Sequence, residues 1–155
     1  MGDTPVAAFW RAFAEATGTD AAYTAWAFGL ESDPELATKL GLLVRDGPKR
    51  ATTSVLAEYD DEGEPLPLVG EYSVILDGAG EPLCIIRTTE VESKPLGAVD
   101  DQFAWDEGEG DRSLACWRRA HMEAFRKGGY PVDDDSLLVL ERFELLWPDP
   151  TSPPG

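Results

Sequence analysis

The sequence is short of several things that would each have marked a class of protein. It has two cysteines, Cys84 and Cys116, with no CxxC spacing. Each falls in an apolar stretch, which reads as two buried reduced thiols and not as a disulfide framework or thiolate metal site. A single histidine, His121, excludes a multi-histidine metal centre. Positive charge is scarce, with 13 lysines and arginines against 30 acidic residues and a net charge of -17. That balance excludes the broad basic face with which duplex-binding proteins neutralise phosphates, so duplex DNA is not an expected partner. Nucleic-acid contact would need a local basic pocket, suited to a nucleoside, a nucleotide or a short single-stranded RNA. No apolar run approaches a membrane span and no charged-then-apolar leader opens the chain, so the expectation is a cytoplasmic protein with no membrane partner. Nothing in the composition speaks to oligomeric state.

What is present is a globular composition, 43% hydrophobic and 10% aromatic over 155 residues. It predicts one domain over 1–155, with the proline-rich 148–155 as a frayed tail. Thr4-Pro5 reads as a helix cap followed by proline at the first helical position, and Gly18 as the stop. Asp20 is expected to open a second short helix carrying Tyr23, Trp26 and Phe28. Asp33-Pro34 opens a third, so the N-terminal third is predicted helical. Ala51 to Tyr59 fits a helix or an irregular strand, and the helix is favoured because Val55, Leu56 and Tyr59 share a face. Tyr72–Leu76 and Leu83–Val91 read as a hairpin around Asp77-Gly78-Ala79-Gly80. Phe103 and Trp105 fall in a short helical turn, and Asp111 is expected to cap a helix running to Gly128-Gly129. Leu137–Trp147 is a closing strand. The pattern is α+β, compatible with a small β-barrel flanked by helices.

The segment Gly47-Pro48-Lys49-Arg50-Ala51-Thr52-Thr53-Ser54 places two cations and three hydroxyls together in an acidic chain. A lysine three residues before a threonine can activate the hydroxyl as a nucleophile, or the pair can grip a polar ligand. If the segment starts a helix, its open N–H groups would also attract an anion. Glu107-Gly108-Glu109-Gly110-Asp111 gathers three carboxylates around two glycines. Glu107 is the candidate partner of Lys49. A calcium loop is not indicated, because the alternating oxygen ligands and closing glutamate are missing. Arg112 and Ser113 at the start of the next helix are candidate ligand contacts, Trp105 is a candidate for stacking on a base, and His121 reads as a packing histidine.

These pieces, in this order, resemble the ASCH (activating-signal-cointegrator homology) family with its PUA-like fold. The carriers are Gly47 to Ser54, Glu64-Pro65-Leu66-Pro67, Gly70-Glu71-Tyr72, Ile85 to Val91 and Phe103 to Leu114, followed by Trp117 and His121. The resemblance implies a β-barrel with a ligand cleft and contact with RNA or its components. Family members similar to N4-acetylcytidine amidohydrolase use a lysine, a threonine three residues later and a distant glutamate. These carry over onto Lys49, Thr52 and Glu107, with Glu109 or Glu90 as alternatives for the acid. Arg50, Thr53, Ser54, Trp105, Arg112 and Ser113 are then the expected ligand contacts, with neither metal nor cofactor.

Three functions follow as expectations. The leading one is amide hydrolysis on an acylated nucleoside, with Thr52 attacking, Lys49 as base and Glu107 orienting it. A close carboxylate raises a lysine pKa and so opposes that role. The second is an RNA- or nucleotide-binding module without chemistry. The third is a ribonuclease on short single-stranded RNA, using Lys49 with Ser113 or Thr52.

Overall fold

The computed structural model describes residues 4–29 and 32–148; the expected tail, apart from Pro148, lies outside them. The elements run α1 (Pro5–Thr17), β1 (Tyr23–Trp26), α2 (Pro34–Arg45), β2 (Ala51–Val55), α3 (Leu56–Glu62), β3 (Tyr72–Leu76), β4 (Pro82–Pro95), a 3₁₀ turn (Leu96–Ala98), α4 (Asp101–Glu107), α5 (Leu114–Lys127) and β5 (Leu137–Trp147). The strands form one sheet in the order β1-β3-β4-β5-β2. This is the α+β architecture expected of a PUA-like domain. Two compact units divide the chain, one within 1–47, 70–87 and 144–155, the other within 48–69 and 88–143.

In the first unit the local signals and the structure agree at both helices. Thr4 accepts the N–H of Ala7 at 3.1 Å and Gly18 closes α1 in the left-handed region at φ 74°. Asp33 caps α2 through the N–H of Leu36. α1 buries Trp10 and Phe13 against Val74 and Ile85. The expected helix over Tyr23 to Phe28 is instead β1, paired parallel to β3 from Tyr23↔Tyr72 to Trp26↔Ile75. The aromatic and β-branched run Tyr-Thr-Ala-Trp suits a strand, and Tyr23 stacks on Trp10 with centroids 4.5 Å apart. An i, i+3 aromatic pair therefore did not decide between the two periods.

The second unit holds a separate core of Ala51, Val55, Leu96, Val99, Phe103, Trp117, Leu138 and Leu140. Here the favoured helix over Ala51 to Tyr59 is corrected. Its first half is β2, antiparallel to β5 from Ala51↔Arg142 to Val55↔Leu138, and only Leu56–Glu62 is helical. The ladder places Ala51 and Val55 in the core at 0% and 4% exposure; an i, i+4 pair shares a face in a helix as well as in a strand, so the pairing with β5 decides the strand state. α5 is capped by Ser113, whose Oγ accepts the N–H of Cys116 at 3.1 Å. Asp111, the expected cap, instead accepts from the N–H and the hydroxyl of Ser113.

Candidate functional site

Lys49 stands just ahead of β2, and the backbone around it is held on two sides. Arg50 donates its N–H to Asp106 O at 2.8 Å and accepts from Phe143 N–H at 3.1 Å. α4 ends at Gly108 with φ 69°, and a Cβ there would lie 2.9 Å from Lys49 N. Only glycine combines that left-handed turn with so close an approach. The result brings the end of α4 onto the Lys49 side chain, which is 1% exposed.

The Lys49 ammonium donates to Ala51 O at 2.8 Å, to Glu107 Oε1 at 3.1 Å and to Glu109 Oε2 at 2.8 Å. Glu107 is equally buried. Its Oε2 accepts from Thr53 Oγ1 at 2.7 Å, from the indole N–H of Trp117, and from His121 Nε2 at 3.0 Å. One carboxylate thus meets four donors, about as many as its lone pairs can serve. His121 stacks on Trp117 with centroids 4.5 Å apart, and its Nδ1 lies 2.8 Å from Trp117 O.

The electrostatics follow from this geometry. Burial alone would push the Lys49 pKa down, but Glu107 and Glu109 outweigh it and hold the pKa above its ordinary value. Burial would raise the Glu107 carboxyl, yet Lys49, His121 and Thr53 hold it well below the ordinary range. Burial would likewise lower His121, and Glu107 turns that into a raised pKa. Lys49 is therefore an ammonium and Glu107 a carboxylate at neutral pH. Donor atoms of Glu107, Glu109 and His121 lie within 4.8 Å of one another, a spacing a cation could fill. Lys49 already bonds both carboxylates and supplies that positive charge.

The structure brings Lys49, Glu107 and Thr53 together and leaves Thr52 out of the cluster. Alternation along β2 sends Thr52 to the opposite face, where its register partner is Glu141. Glu141 there accepts from Thr88 Oγ1 at 3.0 Å. Ser54, on the Thr52 face, shares a 2.7 Å hydrogen bond with Tyr59 OH. Glu109 joins Lys49, whereas Glu90 faces Arg142 at 3.5 Å. Trp105 is 52% exposed, and the Arg112 guanidinium lies 3.6 Å from its ring centroid while its Nε donates to Trp105 O. Arg50 turns its guanidinium back onto Lys49 O at 2.7 Å, and Ser113 serves the helix cap. Sequence reasoning missed Trp117 and His121 as parts of the cluster. The available signal was a polar ring on the buried stripe of α5, which needs a partner in the core.

The fold and site are those of a small α+β domain with a buried lysine–glutamate pair. The ASCH domain model matches residues 24–147, and the chain belongs to that family. Among solved structures it is similar to protein EF3133 from Enterococcus faecalis V583, with 37% identity, a TM-score of 0.81, and coverage of 92% of this chain and 88% of that one. It is also similar to an ASCH domain from Lactobacillus crispatus JV V101, with 32% identity, a TM-score of 0.79, and coverage of 92% and 94%. No curated protein matches the chain.

Proposed function

We propose that this protein binds a nucleotide or short single-stranded RNA, with Trp105 as the platform on which a base stacks. The observation that carries this reading is Trp105 itself, an indole 52% exposed with a guanidinium laid over its ring. Such a pair offers a base an extended π-surface and a phosphate a cation. ASCH domains are in general nucleic-acid-binding modules, and among the described residues no helix is long and apolar enough to cross a membrane. Arg50 and Arg112 are the cations nearest in sequence to Lys49 and Trp105. Titration with short RNAs and mononucleotides tests the reading. Saturable binding that weakens about five-fold or more in Trp105→Ala is expected, since stacking contributes about 1–3 kcal/mol per base. No binding at low salt overturns it.

A second reading, hydrolysis of an acylated nucleoside such as N4-acetylcytidine, is favoured by one contact. The Thr53 hydroxyl donates to Glu107 at 2.7 Å beside the Lys49 ammonium, the relation of a nucleophile to its base. It ranks second because Lys49 holds its proton and Glu107 is saturated with donors, so neither is a ready base. In this form Thr53 Oγ1 attacks the acyl carbon as its proton passes to Glu107, and Lys49 supports the oxyanion. The C–N bond breaks with that proton going to the leaving nucleoside amine, and water then hydrolyses the Thr53 ester to release the carboxylic acid. Turnover of N4-acetylcytidine that survives Thr52→Val and is lost in Thr53→Val is the expected pattern; the reverse restores Thr52 as nucleophile, and no wild-type turnover ends the reading.

A further inference from the structure

His121 has a bonding environment that determines its charge. Nδ1 lies 2.8 Å from the carbonyl oxygen of Trp117, which can only accept. Nε2 lies 3.0 Å from Glu107 Oε2. Glu107 is itself held as an acceptor, because Lys49 on Oε1 and the Trp117 indole on Oε2 can only donate. A neutral imidazole has one N–H and would set a lone pair against one of these two oxygens. An imidazolium satisfies both.

We propose that His121 is a constituent of the site, held as an imidazolium, which positions Glu107 and balances the charge of the buried cluster. With it, Lys49 and His121 offset Glu107 and Glu109 and the four groups sum to zero. Without its proton the cluster carries one net negative charge. Among the described residues, the groups that face the ring are few. Glu107 at the end of α4 and Glu109 beyond it favour the imidazolium, while Lys49 ahead of β2 opposes it as a like charge. On α5 its ring contacts are the neutral Trp117 and Phe125. β5 contributes the apolar Leu138 and Leu140 to the core of this unit. Two carboxylates against one ammonium leave the balance with the protonated ring, in agreement with the raised pKa.

The arrangement also keeps Glu107 in place. His121 and Trp117 hold Oε2 from α5 while Lys49 holds Oε1 from the other side, so the carboxylate has no freedom to rotate away from Thr53. An anionic ligand approaching this cluster would meet no net charge while His121 is protonated and a net repulsion once it is not. Nucleotide affinity should then fall roughly three-fold or more as pH rises through the His121 midpoint, and His121→Gln should flatten that step. This consequence rests on the nucleotide-binding reading.

The charge state itself does not rest on that reading, and His121 is the only histidine in the chain. Nitrogen NMR of the imidazole in the full-length protein therefore reports one residue. Both ring nitrogens should be protonated at pH 7, with a midpoint above the ordinary 6.5. The midpoint should move down in Glu107→Gln, and in Glu109→Gln if the first variant does not fold. A neutral ring at pH 7 in the wild type, or a midpoint unmoved in the folded variant, overturns the proposal. An imidazolium without any nucleotide binding would count against the binding reading alone.

Discussion

At the scale of the residue, loss of Glu107 strands a buried ammonium in the second unit. In Glu107→Gln the Lys49 charge keeps only the partly exposed Glu109 as anion, and breaking a buried pair in this way costs about 3–5 kcal/mol. Denaturant unfolding of wild type and variant measures it; a loss below about 1 kcal/mol would mean the cluster is not the anchor its burial implies. The pH dependence of stability follows from the same group and its neighbour. A carboxyl held below its unfolded value stabilises the fold above 4.5 and loses that contribution as pH falls through the folded value. A histidine held above its unfolded value stabilises fully below 6.5 and loses that contribution as pH rises through the folded value. Melting temperature should therefore hold a plateau between the two and decline on both sides. His121→Gln should abolish the alkaline decline near the histidine midpoint; an unchanged alkaline limb would contradict the assignment.

At the scale of elements, the closures at the two ends of the Glu107–Asp111 loop position the site. Gly108→Ala would place a Cβ 2.9 Å from Lys49 N in a left-handed conformation. Strain of that kind costs about 1–3 kcal/mol, and the displaced α4 end should also release Glu107, so the loss of stability should exceed that of a solvent-facing substitution. Gly63→Ala, at φ 65° with nothing within 4 Å of its added Cβ, is the matched control that carries the conformational cost without the clash. Equal losses in the two would remove the close approach as an explanation. Ser113→Ala should cost about 1 kcal/mol through the lost cap of α5, read from the same unfolding curves. The caps of α1 and α2, the hairpin glycines and the eleven residues of β5 (Leu137–Trp147) were legible because each signal is local, whereas the α5 cap fell on Ser113 and not on the expected Asp111. β1 and β2 were not. Tyr23–Trp26 and Ala51–Val55 are short, and their strand state comes from pairing with β3 and β5, partners far along the chain.

At the scale of the whole molecule, a net charge of -17 sets a limit on nucleic-acid binding. Few phosphates can be neutralised, so the dependence of RNA affinity on salt should be shallow. With Arg50 and Arg112 as the contributing cations, the slope of log K against log salt should be about -1.4. A slope several times steeper would show a basic surface that the proposed site does not contain.

Several properties of this protein follow from the sequence alone: its acidity, the caps of α1 and α2, its hairpin, its closing strand, and the ordered segments that resemble ASCH domains. Those signals reside in a few neighbouring residues or in composition, and no distant partner is needed to read them. The folded chain decided the rest. Strand alternation turns Thr53 towards Glu107 and Thr52 away, a choice of one residue that depends on β2 being a strand. Lys49 and Glu107 are 58 positions apart, and their meeting depends on the turn at Gly108 and on the backbone ties of Arg50. The charge of His121 depends on two oxygens placed by different parts of the structure, one from its own helix and one from the end of α4. Burial makes each of these choices consequential, because a charge removed from water must find its partner within the fold.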